Sequence, residues 1–177
     1  TFIEFSDIAD RFIDNKINYT DCKFTNGTKC FRDLDQKLKM DEIASFSVTE
    51  ANFAEETTEL ILKHIDIKKK DGDRPKIIDA TACVGGNSMS FLQHFGTVYS
   101  VELDLVRQEM LAYNLGLCKK IMERELNRGR LATVRAFCGD FLQLMQESAH
   151  PLSVLMSSGE CDVIFLDPPW GGQAYAE

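Results

Sequence analysis

Four sequence features are absent from this chain of 177 residues, and each absence excludes a class of protein. It contains no run of about 18 apolar residues, so we expect no membrane-spanning helix and no membrane partner. Its first residues, TFIEFSDIAD, lack the basic start and apolar middle of a signal peptide. None of its six cysteines forms a CxxC pair, which favours free thiols over a disulfide or zinc framework. We therefore expect a reducing compartment inside the cell, nuclear or cytoplasmic.

The chain also lacks an excess of positive charge. Its formal net charge is −8, whereas a protein that binds long nucleic acids through their phosphates usually has a basic surface. The acidity argues against broad, nonspecific nucleic-acid binding but does not exclude a nucleotide substrate. It also makes the acidic surface a candidate site for a protein partner.

The second half of the chain alternates between apolar strand patterns and helical patterns. Alternation of this kind predicts an α/β fold with a doubly wound (Rossmann-like) parallel sheet and right-handed crossovers. Gly96 is a natural stop after the first helix, and Gly116 is a candidate break in the second. We predict strands over 76–80, 97–101, 132–137 and 161–166, and helices over 88–94, 104–128 and 141–147.

The polar segment KKKDGDRP, residues 68–75, marks a boundary. We predict an N-terminal helical extension over residues 1–70 and a main domain over 71–177. In the extension we predict an amphipathic helix near 2–13, a loop over 20–37, and a helix from an N-cap at Thr49 to Ile65 with Phe53, Leu60 and Ile61 on its apolar side.

A glycine pair follows the first predicted strand, in IIDATACVGGNS. Gly85 and Gly86 remove side chains where the backbone bends sharply or approaches a ligand, although the loop is not a GxGxxG motif. Glu102 ends the second strand, 23 positions after Asp79. An acid there can accept hydrogen bonds from both hydroxyls of a ribose. The loop and the acid together predict a cofactor that contains a nucleoside.

Asp140 and Phe141 follow the third strand, in AFCGDF. The carboxylate can accept a hydrogen bond from an adenine amino group, with the aromatic ring beside it. It can also cap the helix that begins at Phe141, and the two roles are compatible.

The most specific motif, Asp167-Pro168-Pro169-Trp170, follows the fourth strand and includes the only tryptophan. If the cofactor is S-adenosylmethionine, its methyl group is already activated, and the poor nucleophile is an exocyclic amino group of a base. The Asp167 carboxylate and the Pro168 carbonyl can accept hydrogen bonds from that amino group and orient it. Trp170 offers a face on which a base can stack, most strongly a cationic purine.

The order of these motifs resembles that of class I S-adenosylmethionine-dependent methyltransferases that modify exocyclic amines. Three segments resemble the RNA cap guanine-N2 methyltransferases, the trimethylguanosine synthase family: FSVT (Phe46–Thr49), DATACVGGN (Asp79–Asn87) and DPPWGGQAY (Asp167–Tyr175). The resemblance runs from about Ser45 to Glu177. It implies further strands after the fourth, so we expect the sheet to be incomplete, with the order 3-2-1-4 and the fourth strand at an exposed edge.

The resemblance also implies an activity and a set of site residues. The activity is transfer of a methyl group from S-adenosylmethionine to the 2-amino group of a 7-methylguanosine cap, with capped RNA or a cap nucleotide as partner. Asp167 and Pro168 would face the amino group, Trp170 would stack on the 7-methylguanine, and the segment around Ser47 and Thr49 would close over the site. The cofactor would be held by Asp79, Ala80, Thr81, Gly85, Gly86, Asn87, Glu102, Leu103, Asp140 and Phe141.

Three departures from the family pattern keep alternatives open. Asp167 stands where serine is usual, so adenine N6, or a guanine outside a cap, remains a candidate target in RNA or DNA. Thr81 stands where an aromatic residue is usual. Residues 118–130 form a longer segment than expected, and are a candidate partner surface. A catalytically inactive subunit with this fold is the remaining alternative.

Overall fold

The computed structural model describes residues 38–65, 74–125 and 131–168. The predicted helix near 2–13, the loop over 20–37, most of the boundary segment and Trp170 lie outside these ranges. None of the helices described is both long enough and apolar enough to cross a bilayer. The predicted division into an extension and a main domain stays a prediction, because residues 66–73 lie outside the described ranges.

A four-stranded parallel sheet with helices on both faces forms the described part of the chain. Its strand order is β3-β2-β1-β4, which confirms the predicted α/β class and the predicted order. The elements, in chain order, are α1 (Glu42–Ser47), α2 (Ala51–His64), β1 (Lys76–Asp79), α3 (Gly86–Phe91), β2 (Thr97–Glu102), α4 (Leu105–Glu125), β3 (Thr133–Cys138), α5 (Phe141–Gln146), α6 (Pro151–Ser157) and β4 (Val163–Phe165).

Side chains alternate between the two faces of the sheet, as expected for strands buried on both sides. Ile77 and Val98 face the larger apolar core, which also contains Phe91 of α3 and Leu111 of α4. The next residues along β1 and β2 face the smaller core beneath α5 and α6. Because all three strand pairs are parallel, the carboxyl ends of the four strands lie at one edge of this three-layer structure.

The two N-terminal helices join the larger core. Leu38, Met40 and Ala44 are fully buried in the same apolar cluster as Ile77 and Phe91. A single hydrophobic core therefore includes the segment before the boundary and the sheet after it.

The predicted apolar side of α2 is wrong in two of its three residues. Phe53 and Leu60 are 60% and 57% exposed, and only Ile61 packs on the core. The buried face instead consists of the small residues Ala51, Ala54 and Thr58. Small side chains let α2 lie close to α3, where Thr58 Oγ1 and Ser90 Oγ are hydrogen-bonded at 2.6 Å.

Several predicted boundaries also shift. Helix α4 is continuous through Gly116, because burial of neighbouring residues such as Leu115 and Cys118 offsets the cost of about 1 kcal/mol for a glycine inside a helix. Thr49 is not the N-cap of α2, which begins at Ala51 after Glu50. Helices α1 and α6 were not predicted. The second of these carries a proline in its first turn, a position that proline favours.

Candidate active site

Four of the predicted acids lie at the carboxyl edge of the sheet. Asp79 ends β1, Glu102 ends β2, and Asp167 follows the end of β4 by two residues. Asp140 follows β3 at the same edge. Because the strands are parallel and adjacent, residues distant in sequence lie around one region, as expected for ligand sites in doubly wound sheets.

The loop after β1 is held in a tight conformation by backbone hydrogen bonds. Ala80 N–H donates to the carbonyl of Phe165 at 3.0 Å, and Ala82 N–H donates to that of Val101 at 2.8 Å. Gly85 has a φ of 104°, which a residue with a side chain rarely adopts. The loop therefore spans β4, β1 and β2, and its glycine turns the chain into α3.

Asp79 is a buried carboxylate beneath this loop. Its side chain is 1% exposed, and Oδ2 accepts a hydrogen bond of 2.6 Å from Ser88 Oγ. Ser88 Oγ is also hydrogen-bonded to Ser100 Oγ at 2.8 Å. The second oxygen, Oδ1, is buried and has no hydrogen-bond partner among the described residues. A buried polar atom of this kind is costly, so it is a candidate position for a donor supplied by a ligand.

Burial raises the pKa of Asp79 from its ordinary value of 3.8 to about 7. The hydrogen bond from Ser88 and the nearby backbone N–H of Thr81, which meets no hydrogen-bond geometry with Oδ1, oppose the rise, while the negative charges of Asp167 and Glu102 add to it. Near neutral pH the carboxyl group therefore binds a proton far more readily than an ordinary aspartate does. A ligand with a positive charge at Oδ1 would favour the ionised form.

Glu102 is oriented by neighbours that the sequence did not point to. Its Oε1 accepts a hydrogen bond of 2.9 Å from Asp104 N–H and lies 3.5 Å from Arg107 Nε. The Arg107 guanidinium also forms an ion pair with Asp41, the N-cap of α1, at 3.2 Å. Both contacts to Glu102 use Oε1, so neither of them occupies Oε2, which can accept a hydrogen bond from a ligand. Arg107 thereby fixes the acid that the sequence assigns to a ribose.

Asp140 acts as the N-cap of α5. Its Oδ1 accepts hydrogen bonds from Leu142 N–H at 2.8 Å and Gln143 N–H at 3.1 Å. Phe141 is partly buried against the smaller core. Asp140 therefore caps the helix, which is one of its two predicted roles, and its contact with an adenine amino group stays a prediction. Beside this region Leu103 is 67% exposed, as an apolar side chain at the edge of a ligand site can be.

Asp167 is tied to the loop after β1. Its backbone N–H donates a hydrogen bond of 2.9 Å to Thr81 Oγ1. Its side chain and Pro168 are exposed at the edge of the sheet. The amino-binding turn predicted from the sequence thus lies directly against the predicted cofactor loop, although the remainder of the motif, including Trp170, lies outside the described residues.

The segment between α1 and α2 crosses this site. Asn87 Nδ2 donates a hydrogen bond of 2.8 Å to Thr49 Oγ1, which lies 3.5 Å from Asp167 Oδ2. A Cβ atom added to Gly86 would lie 2.8 Å from the carbonyl oxygen of Thr49, so glycine is needed for this close approach. Ser47 is exposed at the end of α1.

The structure brings together Asp79, Ala80, Thr81, Gly85, Gly86, Asn87, Glu102, Asp167 and Thr49 around the loop after β1. Sequence reasoning missed Ser88, Ser100 and Arg107, which hold two of the acids in place. A weak signal existed for Arg107, a cation five residues after Glu102 on a predicted helix. Ser88 and Ser100 gave no signal, because serines that support a buried acid look like any other serine in the sequence.

Two comparisons with known proteins found similar sequences. A family described as RNA cap guanine-N2 methyltransferase matches residues 74–177, which is more than half of the chain. An uncharacterized protein of Acanthamoeba polyphaga mimivirus is 23% identical over 159 residues, or 80% of this chain. The chain spans about half the length of that curated relative, 54%. On the family match, which includes the loop after β1 and the Asp167 turn, the chain belongs to the RNA cap guanine-N2 methyltransferase family.

Proposed function

We propose that this protein transfers a methyl group from S-adenosylmethionine to the exocyclic 2-amino group of a 7-methylguanosine RNA cap. The family match supports a methyltransferase. The family match also favours the cap guanine as acceptor, and the observation that carries transfer to an amino group is the contact between Asp167 and the loop after β1, through the 2.9 Å hydrogen bond to Thr81. An amino group bound at Asp167 would lie beside a cofactor bound at that loop.

The described residues fit S-adenosylmethionine. The cofactor carries an ammonium group, and Asp79 Oδ1 is a buried acceptor without a partner among the described residues. It carries a ribose, and Glu102 is held by Arg107 through one oxygen only. Asn87 Oδ1 is a second buried acceptor without a partner in the described ranges. These three carboxylate or amide groups are the ones to which the cofactor's donors would bind.

Binding of the acceptor amine would be the task of Asp167 and Pro168. The amino nitrogen of guanine is a poor nucleophile, because its lone pair is delocalised into the ring. Acceptors on both amino hydrogens would turn the nitrogen toward the donor and stabilise the positive charge that develops on it. Proline has no N–H to compete for these acceptors and a fixed φ, so the turn is stiff.

Methyl transfer then needs no further group from the protein than these acceptors. When bound, S-adenosylmethionine supplies a methyl group on a positively charged sulfur. Its transfer to the amino group would leave the electron pair of the carbon–sulfur bond on sulfur, and the nitrogen would release one proton to Asp167 or to water. Water has access, because Asp167 and Pro168 are exposed.

Trp170 would bind the other side of the substrate. A 7-methylguanine ring carries a positive charge, so stacking on an indole would gain cation–π attraction. Replacement of Trp170 by alanine should weaken cap binding by about 1–3 kcal/mol, since stacking on an aromatic side chain contributes that much. Cofactor binding should be nearly unchanged.

A substrate panel tests the proposal. The protein is incubated with S-adenosylmethionine and, separately, with a 7-methylguanosine cap dinucleotide, an adenine-containing oligonucleotide and an uncapped structured RNA. We expect methylation of the cap dinucleotide. Methylation of the second or third substrate without the first would move the target to adenine N6 or to a guanine outside a cap.

Two variants assign the role of Asp167. Asp167→Asn keeps the shape but replaces one acceptor oxygen by a donor, and should lower kcat about 100-fold. Glu59→Gln, on the exposed face of α2, removes the same charge and should leave kcat unchanged. Equal activity of the two variants would remove Asp167 from the mechanism. If calorimetry detects no binding of S-adenosylmethionine by the wild-type protein, the inactive-subunit alternative gains support.

A further inference from the structure

The hydrogen bonds of Thr49 have a defined direction. The Asn87 Nδ2 group can only donate, so Thr49 Oγ1 accepts the bond of 2.8 Å between them. The hydroxyl group has a single hydrogen, which remains to be donated elsewhere. Its neighbour is the Asp167 carboxylate, whose Oδ2 lies 3.5 Å away and can accept. The direction therefore runs from Asn87 through Thr49 to Asp167.

A second threonine fixes the backbone of the same residue. Asp167 N–H donates to Thr81 Oγ1 at 2.9 Å. Asp167 is thus contacted by two separate segments: the loop after β1 holds its backbone, and the segment between α1 and α2 places the Thr49 hydroxyl 3.5 Å from its carboxylate. The backbone contact leaves the side chain free to rotate, so the Thr49 hydroxyl is the group placed to favour one direction of the carboxylate.

Packing keeps Thr49 in position. Its backbone N and O atoms would lie 3.0 and 2.8 Å from a Cβ atom on Gly86, and Val48 Cγ2 would lie at 3.0 Å. The segment rests on the glycine with no space between them, so the Thr49 hydroxyl is held over the start of α3. Asn87 is the next residue after this glycine, 8% exposed. A shift of the cofactor loop would therefore move Thr49 as well.

We propose that Thr49 is a positioning residue that orients the Asp167 carboxylate and couples that orientation to Asn87 in the cofactor loop. The proposal rests on the proposed function for the role of Asp167 in binding the acceptor amine. The donor to this charged side chain comes from the N-terminal segment.

The kinetic test uses Thr49→Val, which keeps the shape of the side chain and its packing on Gly86 but removes the hydroxyl group. We expect kcat to fall about tenfold, since a misplaced acceptor slows a reaction that depends on orientation. The dissociation constant for S-adenosylmethionine should change by a smaller factor than kcat, because Thr49 acts on the cofactor loop only through Asn87 Nδ2. Thr49→Ser, which keeps the hydroxyl, should restore kcat to within about threefold of the wild type.

A matched control is Thr57→Val on α2, a threonine outside the site, which should leave kcat unchanged. In an Asp167→Asn background, Thr49→Val should cause no further loss. Loss of activity in both Thr49→Val and Thr49→Ser, or a loss that adds fully to that of Asp167→Asn, would overturn the proposal. These measurements use whichever amine substrate the wild-type protein methylates.

An NMR measurement that needs no methyl transfer tests the coupling through Thr49 independently of the proposed function. The side-chain amide resonance of Asn87 is followed by NMR in the wild type, Asp167→Ala, Thr49→Val and the double variant. We expect Asp167→Ala to move that resonance when Thr49 is present and to leave it in place when valine stands there. If Asp167→Ala leaves the resonance unmoved in the presence of Thr49, the coupling is absent, whatever the protein methylates.

Discussion

The buried carboxyl group of Asp79 gives the most direct energetic prediction. Its pKa is raised from 3.8 to about 7, mainly by burial. At pH values between these two pKa values, Asp79 binds a proton in the folded protein and releases it in the unfolded chain. The free energy of unfolding therefore falls as pH rises through this window, and the contribution is fully lost above about pH 7.

The magnitude follows from the pKa values. One pKa unit corresponds to about 1.36 kcal/mol, so ionisation of the buried group costs the folded protein about 4 kcal/mol in total. From pH 5 to pH 8 the loss should be about 3 kcal/mol, since part of the window lies below pH 5. Asp79→Asn has no ionisable group at this position and should lack this slope.

Urea unfolding of the wild type and of Asp79→Asn at pH 5, 6, 7 and 8, without cofactor, checks this. The difference between the two free energies of unfolding should change by about 3 kcal/mol across the series, in favour of the variant at high pH. Glu59→Gln, which removes an exposed acid, should follow the wild-type curve. Parallel curves for the wild type and Asp79→Asn would refute the reasoning, because they would mean that Asp79 ionises equally in both states.

Three further substitutions test the packing around the site by urea unfolding. Gly86→Ala should destabilise by about 1–3 kcal/mol, because its new Cβ atom would lie 2.8 Å from the Thr49 carbonyl oxygen; a neutral result would mean that the segment yields freely. Asn114→Ala should cost about 3 kcal/mol, since the fully buried side chain makes three hydrogen bonds to backbone groups at 2.7–2.9 Å; a loss below about 1 kcal/mol would contradict this. The hydrogen bond with His94 is the main cause of the lowered pKa of Glu55. The ionised Glu55 side chain therefore stabilises the folded protein above pH 4.5, and this stabilisation is lost as the pH falls through the lowered pKa of Glu55. Glu55→Gln should therefore destabilise by less than about 1 kcal/mol at pH 7, as for other ion pairs that solvent screens, and by less still in acid; an equal difference at both pH values would argue against the pair.

The strands of the sheet, and the acids that follow them, could be predicted from the sequence because apolar strand patterns alternate regularly with helical patterns there. Each predicted strand of the α/β half is present within two residues of its predicted ends. Glu102 and Asp167 were found because an acid that directly follows an apolar strand stands out. Parallel strand order then places such residues at one edge without knowledge of any side-chain contact.

Helix α2 was predicted within two residues of its ends, but its buried face and the existence of α1 were not accessible in the same way, because they depend on contacts with distant residues. Thr49 has the composition of an N-cap, but its hydroxyl group is hydrogen-bonded to Asn87. Phe53 and Leu60 have helical spacing, yet Ala51 and Ala54 face the core because α3 lies close by. Hydrophobicity alone predicts the larger residues as buried, whereas close helix packing selects the smaller ones.

The position of the transferred methyl group is the most direct test of whether it is delivered to an amine bound at Asp167. The protein is incubated with S-adenosylmethionine and a capped RNA, and the cap is released and fragmented in a mass spectrometer. We expect an added methyl group on N2 of 7-methylguanosine, absent when Asp167→Asn replaces the wild type. A methyl group found on adenine N6, or on no base at all while the cofactor binds, would contradict it.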